Sequence, residues 1–392
     1  MIIRIYKEKI LFYYTFIIWF IVDVLSHTTI EKSTGIPLSL IDNITDIVVL
    51  IILVSQIVFE QAYSRIELLF VVIIFVLVSL SAFSCGDNKF ISLFLFIVAA
   101  RGVDMKRLTL WVFRVLVAIT SIVILLTSAG ILDDKTYRRI GLVRHSLGFE
   151  HPNVLGVVIF QIAVCFCILN ENKIIRQIIA IVVAILFDFM VPNSQSPTVI
   201  LVVLLIVLPI YQLIQRKEYR GATLKNWMLH GAIACNFFSV LLTVIDYSKI
   251  PILNRVDDFL SMRFKYARIA YRESGIKLLG QIIYTAEENR KRMAYKGHLF
   301  LDNAYATILL RYGIVIYVIF SLAYISTMRL QMKKRNSLLF VILFVFAIYG
   351  IMETSMFMLE YNFLLICMSD ILYFRDRKNL DECDKKPLKL DA

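Results

Sequence analysis

Twelve apolar stretches dominate this chain, and each approaches the ~20 residues a helix needs to cross the hydrocarbon core of a bilayer. They fall at about 10–25, 40–59, 68–84, 88–103, 108–130, 152–170, 174–191, 196–214, 227–246, 304–327, 337–353 and 355–374. Inside hydrocarbon a chain must satisfy its own backbone hydrogen bonds, and runs of this length do so as helices. The expected fold class is an all-α polytopic membrane protein with about 12 transmembrane helices. Its integral helical domain covers residues 1–374, and a charged tail follows at 375–392. With 59% hydrophobic and 18% charged residues, the composition excludes a soluble globular domain. The fourth stretch is the weakest, because only Phe90 to Ala100 is free of charge. It reads as a short tilted crossing, or as half of a re-entrant pair with the third.

Lysine and arginine orient the bundle. With the N-terminus inside the cell, the inside connections carry Arg65, then Arg101, Lys106 and Arg107, then Lys173 and Arg176, with further basic groups at 216–225 and 329–335. This bias fits an even number of crossings and both termini in the cytoplasm. If the fourth stretch failed to cross, every later basic loop would move outside, so the charge pattern favours a crossing. The formal charge of +12, which in a soluble protein would point to nucleic acid, is explained by topology, and no nucleic-acid partner is expected. The apolar run after Lys9 lacks a small-residue cleavage site and begins the first span.

Residues 247–303 then form a long extracytoplasmic loop within the bundle. Its middle has helical periodicity: at 100° per residue from Val256, Phe259, Leu260, Ala267, Ala270 and Tyr271 fall within about 60° of one line. Arg263 sits inside that apolar stripe. A guanidinium aimed at protein is costly unless it meets an anion or a set of acceptors; a snorkelling arginine at the membrane surface explains the same position equally well. A second outside segment, 131–151, carries Arg138, Arg139, Arg144 and His145. Two basic loops over one hydrophobic bundle suggest an acidic or phosphorylated ligand, with anionic headgroups as the plainer reading.

The six cysteines suggest no framework. Cys165 and Cys167, two apart in an expected helix, point to different faces and suit neither a disulfide nor a metal. No acidic cluster that would hold Mg²⁺ and no His/Cys arrangement that would hold zinc is evident, so neither a metal nor another cofactor is expected. The two halves show no duplication, which argues against a transporter built from two six-span repeats.

Three stretches carry a resemblance. They are Arg144-His-Ser-Leu-Gly-Phe-Glu-His-Pro-Asn153-Val-Leu-Gly156; Leu260-Ser-Met-Arg263 followed by Gly275-Ile-Lys-Leu-Leu-Gly280; and Leu301-Asp302-Asn303-Ala-Tyr305 with Arg311-Tyr-Gly313. In type and order, with the long loop between the last spans, they resemble the Wzy-type polysaccharide polymerases, relatives of the O-antigen ligases. The likeness covers residues 60–374 as an architecture and some forty positions as motif. It implies a membrane-embedded, GT-C-like glycosyltransferase in the cytoplasmic membrane. Its substrate would be an oligosaccharide repeat unit on polyprenyl diphosphate, with membrane lipid around it and a flippase and a chain-length regulator as partners. Many relatives carry an arginine near the outer end of the eighth span, where this chain has Asn193-Ser-Gln195-Ser-Pro197.

Such a reaction needs a cation where the diphosphate leaving group gathers charge, and arginine offers a planar fork of donors for phosphate. The candidates are Arg138, Arg139, Arg144 and Arg263, each of which, taken singly, also reads as a solvated or headgroup-facing charge. The acceptor hydroxyl needs a base. The resemblance favours His298, late in the long loop; Asp302 is the rival, although Asp302 or Asn303 also reads as an N-cap for the tenth span. His145, Asn153 and Arg311 complete the expected binding set. His151-Pro152-Asn153 has a local explanation too, since proline suits a first helical turn. Asp188, Arg311, Glu353 and Glu360 lie in or near the outer parts of spans, where charge marks a polar cavity; an Asp188–Arg311 pair is one reading of them. A ligase transferring finished glycan, or a lipid-linked oligosaccharide flippase, are the alternatives.

Overall fold

The computed structural model describes residues 2–61, 63–139, 141–171, 173–215, 218–283, 301–333 and 338–373. They form a helical bundle whose only sheet, among the described residues, is a two-stranded ribbon. Among the described residues, seven helical stretches are long and apolar enough to cross a membrane: Leu38–Glu60, Arg65–Cys85, Met105–Ser128, Pro152–Leu169, Gln195–Ile214, Gly221–Val244 and Ile314–Lys333. That is the make-up of a helical membrane protein.

The helices follow the expected apolar runs. They are α1 (Ile2–Ser26), α2 (Ile30–Thr34), α3 (Leu38–Ser55), α4 (Arg65–Cys85), α5 (Lys89–Ala99) and α6 (Met105–Ser128). After the ribbon β1 (Thr136–Arg139) and β2 (Leu142–His145) come α7 (Pro152–Leu169), α8 (Ile174–Met190), α9 (Gln195–Gln215) and α10 (Glu218–Val244). Local chemistry sets the starts. Ser64 and Glu67 form a capping box on α4, and Asp104 accepts from the backbone N–H groups of Lys106 and Arg107 at α6. His151 Nδ1 accepts from Asn153 N–H at 3.1 Å, with Pro152 in the first turn of α7.

Connections gather at two ends. At one, Gln61 Nε2 donates to the carbonyls of Val98 and Ala99, and the Tyr13 hydroxyl accepts from Asp104 N–H. At the other, Thr29 N–H donates to Gly148 O (2.8 Å), Glu150 N–H to His27 O (2.9 Å) and His145 N–H to Val191 O (3.1 Å). Helix α5 starts beside Asp87 at this loop-rich end and finishes at Val98 at the opposite one. It therefore returns toward the end where α4 begins, and its eleven residues span only ~17 Å.

The last expected span, 355–374, is not one helix. After α15 (Leu338–Tyr349) the chain makes a 3₁₀ turn at Thr354–Met356, continues irregularly to Asn362, and resumes as a 3₁₀ turn at Phe363–Met368 and α16 (Ser369–Leu372). This backbone is tolerable because it is buried and its groups are met: Asn362 Nδ2 donates to Met356 O (2.7 Å), Gln161 Nε2 to Glu360 O (2.7 Å) and Asn303 Nδ2 to Ile351 O (3.0 Å).

The long loop also departs from the expectation of one helix running on from Val256. It folds as α11 (Pro251–Phe259) and α12 (Arg263–Ser274), broken where Ser261 and Met262 take left-handed φ of 60° and 61°. Buried Asp257 enforces the break, because its carboxylate accepts from Phe264 N–H (2.8 Å), Lys265 N–H (3.1 Å) and the Tyr247 hydroxyl (2.7 Å). An acidic group at the head of α12 meets the positive end of its dipole. The chain then lies against a second break, in the tenth expected span, where α13 (Ala304–Thr307) and a π-turn (Ile308–Tyr312) end at Gly313 before α14 (Ile314–Lys333). Gly280 and Gly313 touch backbone to backbone: a Cβ on Gly280 would meet the Tyr312 carbonyl carbon at 2.8 Å, and one on Gly313 the Leu278 carbonyl oxygen at 2.6 Å. Gln281 N–H donates to Arg311 O (2.9 Å) and Val315 N–H to Leu278 O (3.2 Å), so the loop completes the hydrogen bonding of the broken helix.

Candidate functional site

Gln195, the first residue of α9, is where the two basic loops meet. Its Oε1 accepts from Arg139 Nη2 (2.6 Å) and from the Ser261 hydroxyl (3.0 Å), and its Nε2 donates to Phe259 O (2.8 Å). The side chain therefore ties the ribbon to the α11–α12 break. A cation is present here, delivered by β1 to the side chain of Gln195.

Strand alternation sorts the ribbon's charges. Arg139 reaches Gln195, whereas Arg138, opposite Val143, is exposed on the other face. Arg144 is buried at 6% exposure; its Nε donates to Pro192 O (2.9 Å) and its Nη2 to Asn153 Oδ1 (2.6 Å). Burial and the neighbouring Arg139 charge lower its proton affinity. Arg144 and Asn153, nine residues apart on either side of a turn, are thus brought together. His145 instead pairs with Asp134 at 2.6 Å, half-exposed at the rim.

Arg263, the first residue of α12, lies between two carboxylates. Its Nη1 contacts Asp302, its Nη2 donates to Glu353 Oε1 at 3.0 Å, and its Nε is buried with no hydrogen-bond partner among the described residues. Glu353 also engages Ser196, next to Gln195, so the Arg263 cluster and the Arg139 contact share the head of α9. Glu353 lies in the irregular segment after α15, where Arg263 holds it. The two readings of the 302–303 pair separate: Asn303 caps α13 through Ala306 N–H at 3.0 Å, leaving Asp302 to the arginine.

Arg311 does not pair with Asp188. Asp188 accepts from the Ser194 and Thr198 hydroxyls inside the α8–α9 turn. Arg311 Nη2 lies 3.3 Å from Asp87, which also accepts from the Tyr312 hydroxyl (2.8 Å). A π-turn rotates Arg311 toward the α4–α5 connection, away from the residue the sequence paired it with. His298 lies outside the described residues.

Beyond Glu353 the irregular segment borders a second polar region of opposite sign. Asp23 lies within electrostatic reach of Asp42, Asp46, Glu360 and Lys89, and the Tyr361 ring sits 5.9 Å from that of His27. Tyr361 lies within the fields of both Glu353 and Asp23. The described residues contain no group of three or more His, Cys, Asp or Glu arranged to ligate a metal. Sequence reasoning missed Gln195 as an organiser, Asp257 as the cap behind Arg263, and Glu353 as its partner. A carboxylate beside a span end was visible for Glu353, but nothing in sequence spacing links residues 263 and 353.

Comparison with models of protein families, with curated proteins and with solved structures returned no match.

Proposed function

We propose that this chain polymerises oligosaccharide repeat units carried on polyprenyl diphosphate at the outer face of the cytoplasmic membrane. In this reading the bundle crosses twelve times with both termini in the cytoplasm, and α5 and the segment ending in α16 are among its short crossings. The loop-rich end is then the outer one.

One observation carries the proposal. Arg139 and Arg144 are held by neutral acceptors, Gln195, Asn153 and the Pro192 carbonyl, and neither makes an ion pair among the described residues. Their positions are fixed by neutral groups, and the Arg139 charge acts against that of Arg144 with Asp188 offsetting it in part, an arrangement that an anion relieves further. Arg263, reached through Ser261 and Ser196, adds a third fork whose carboxylate partners a diphosphate can exchange with. As the glycosidic bond breaks, negative charge collects on the diphosphate, and donors already in place stabilise it without reorganising. The polyprenyl tail stays in the bilayer beside the apolar helices.

The test is reconstitution in liposomes with lipid-linked repeat units and no ion gradient, with the glycan sized on a gel. Growth of chains on the carrier is expected. Replacing Arg144 or Arg139 by alanine should lower turnover by about 100-fold, the scale of losing one preorganised donor. Transfer of finished glycan to another acceptor without growth would identify a ligase, and movement of units without bond formation would refute the enzyme. Normal chain length from both Arg263→Lys and Arg263→Ala would remove Arg263 from the phosphate site.

A further inference from the structure

A diphosphate site accounts for the arginines but not for the carboxylate fixed among them. Of the two groups on Arg263, Asp302 is the more exposed, with 30% of its side chain accessible against 15% for Glu353. Asp302 ends the long loop and contacts one edge of the guanidinium. Glu353 holds the other edge at 3.0 Å and is tied to α9 through Ser196. An incoming diphosphate competes for the same guanidinium and displaces the looser carboxylate first, leaving Glu353 in place beside the leaving group.

The surroundings of Glu353 face two ways. On one side stand the arginines. On the other stands Tyr361, whose ring lies 5.9 Å from that of His27, and His27 lies 4.0 Å from Asp23, with Asp42, Asp46 and Glu360 within electrostatic reach. Carboxylates and aromatic rings there offer hydrogen-bond acceptors and flat apolar faces, the chemistry that recognises sugar hydroxyls and ring C–H surfaces. The charged and titratable groups facing Glu353 are Arg263, with Asp302 behind it, and the phenols of Tyr349 and Tyr361. Each negative charge delivered to Arg263 weakens that arginine's pull on Glu353 and raises its basicity. Binding of the donor therefore prepares the base.

We propose that Glu353 is the general base of the reaction, standing between a diphosphate side carrying Arg139, Arg144 and Arg263 and a saccharide-acceptor side carrying Tyr361, His27 and the carboxylates around Asp23. The assignment rests on the polymerase reading above. The carboxylate takes the proton of the acceptor hydroxyl as its oxygen forms a bond to the anomeric carbon. The bond from that carbon to the diphosphate oxygen breaks, and the electron pair leaves on the diphosphate. Glu353 then returns the proton to water. A single displacement of this kind inverts the anomeric centre.

The experiment compares wild type, Glu353→Gln, Glu353→Asp and Asp302→Asn in liposomes with lipid-linked repeat units across pH. Glu353→Gln should lower kcat by about 100-fold or more, leave KM for the lipid-linked unit within about threefold, and abolish the acid limb of the pH profile. Glu353→Asp should recover part of the rate, and Asp302→Asn should keep the acid limb. Unchanged kcat in Glu353→Gln overturns the proposal. A loss confined to KM with the acid limb intact also overturns it, because Glu353 would then only position Arg263. Should Glu353→Gln fail to fold, the wild type decides alone: a new linkage of retained configuration, or no acid limb, rejects the base. If the wild type makes no chains at all, the polymerase reading fails; if it does and Glu353→Gln does equally well, only the base assignment fails.

Discussion

Replacing Gly156 by alanine tests how α7 is seated against the α8–α9 turn. Gly156 lies one turn after Asn153, the partner of Arg144, and is buried. A Cβ there would overlap the Ser194 hydroxyl and stand 2.6 Å from Asp188 Oδ1 and 2.9 Å from Ser194 Cβ. These groups cannot simply give way, since Ser194 and Asp188 are both fully buried and bonded to each other. Two costs add. Overpacking a filled interior costs about 1–3 kcal/mol, and prising Ser194 from a buried carboxylate costs about 1–3 kcal/mol more. At about 1–2 °C per kcal/mol for a domain this large, scanning fluorimetry in detergent should show a midpoint several degrees lower. The same shift carries Asn153 away from Arg144, so turnover should fall as well. Ser194→Ala removes the atom nearest the new methyl, at the expense of its bond to Asp188. In the double variant the two losses should therefore sum to clearly less than the singles together. A midpoint within about 0.5 kcal/mol of wild type, the range of ordinary surface changes, or strict additivity in the double variant, would show that α7 does not touch the turn as described.

Two further outcomes follow from single contacts. Asn303→Ala removes the cap on Ala306 N–H and leaves the Ile351 carbonyl and Ser239 hydroxyl without their donor, costing about 2–4 kcal/mol; Asn303→Asp keeps the cap but turns an acceptor toward that carbonyl, so a variant as stable as wild type in chemical denaturation would contradict the geometry. The His151 pKa is lowered from its ordinary 6.5 to about 4 by burial, Arg144 and Lys135. Its neutral form belongs to the folded state, so the stability it contributes is complete above about pH 6.5 and is lost as pH falls toward 4. Protonation at Nδ1 would also cancel the cap on α7, and His151→Asn, which caps without titrating, should flatten the fall in midpoint between pH 7 and pH 4.5.

The helices were legible because their cause is local. Each apolar run satisfies its own backbone bonds in hydrocarbon whatever its neighbours do, and the same reasoning located Pro152 in a first turn and a cap at residues 302–303. The failures share a different cause. Residues 256–271 carry a helical stripe, yet Asp257 folds back to cap Phe264 and Lys265, and a buried carboxylate with three donors outweighs continued periodicity. Residues 355–362 sit within an apolar stretch, but side chains from α7 and the head of α13 meet the Glu360 and Ile351 carbonyls and hold the chain out of a helix.

Residue types alone therefore determined that this is a helical membrane protein with two basic loops, one carrying Arg144 and the other Arg263. Tertiary structure decided which charges act together: Arg139 rather than Arg138, Glu353 rather than Asp188, and Asp87 as the partner of Arg311. The physical reason is range. Hydrophobic burial and backbone hydrogen bonding are set within a few residues and can be read along the chain. An ion pair is set by distance in space, and residues 263, 302 and 353 become neighbours only once the bundle has closed.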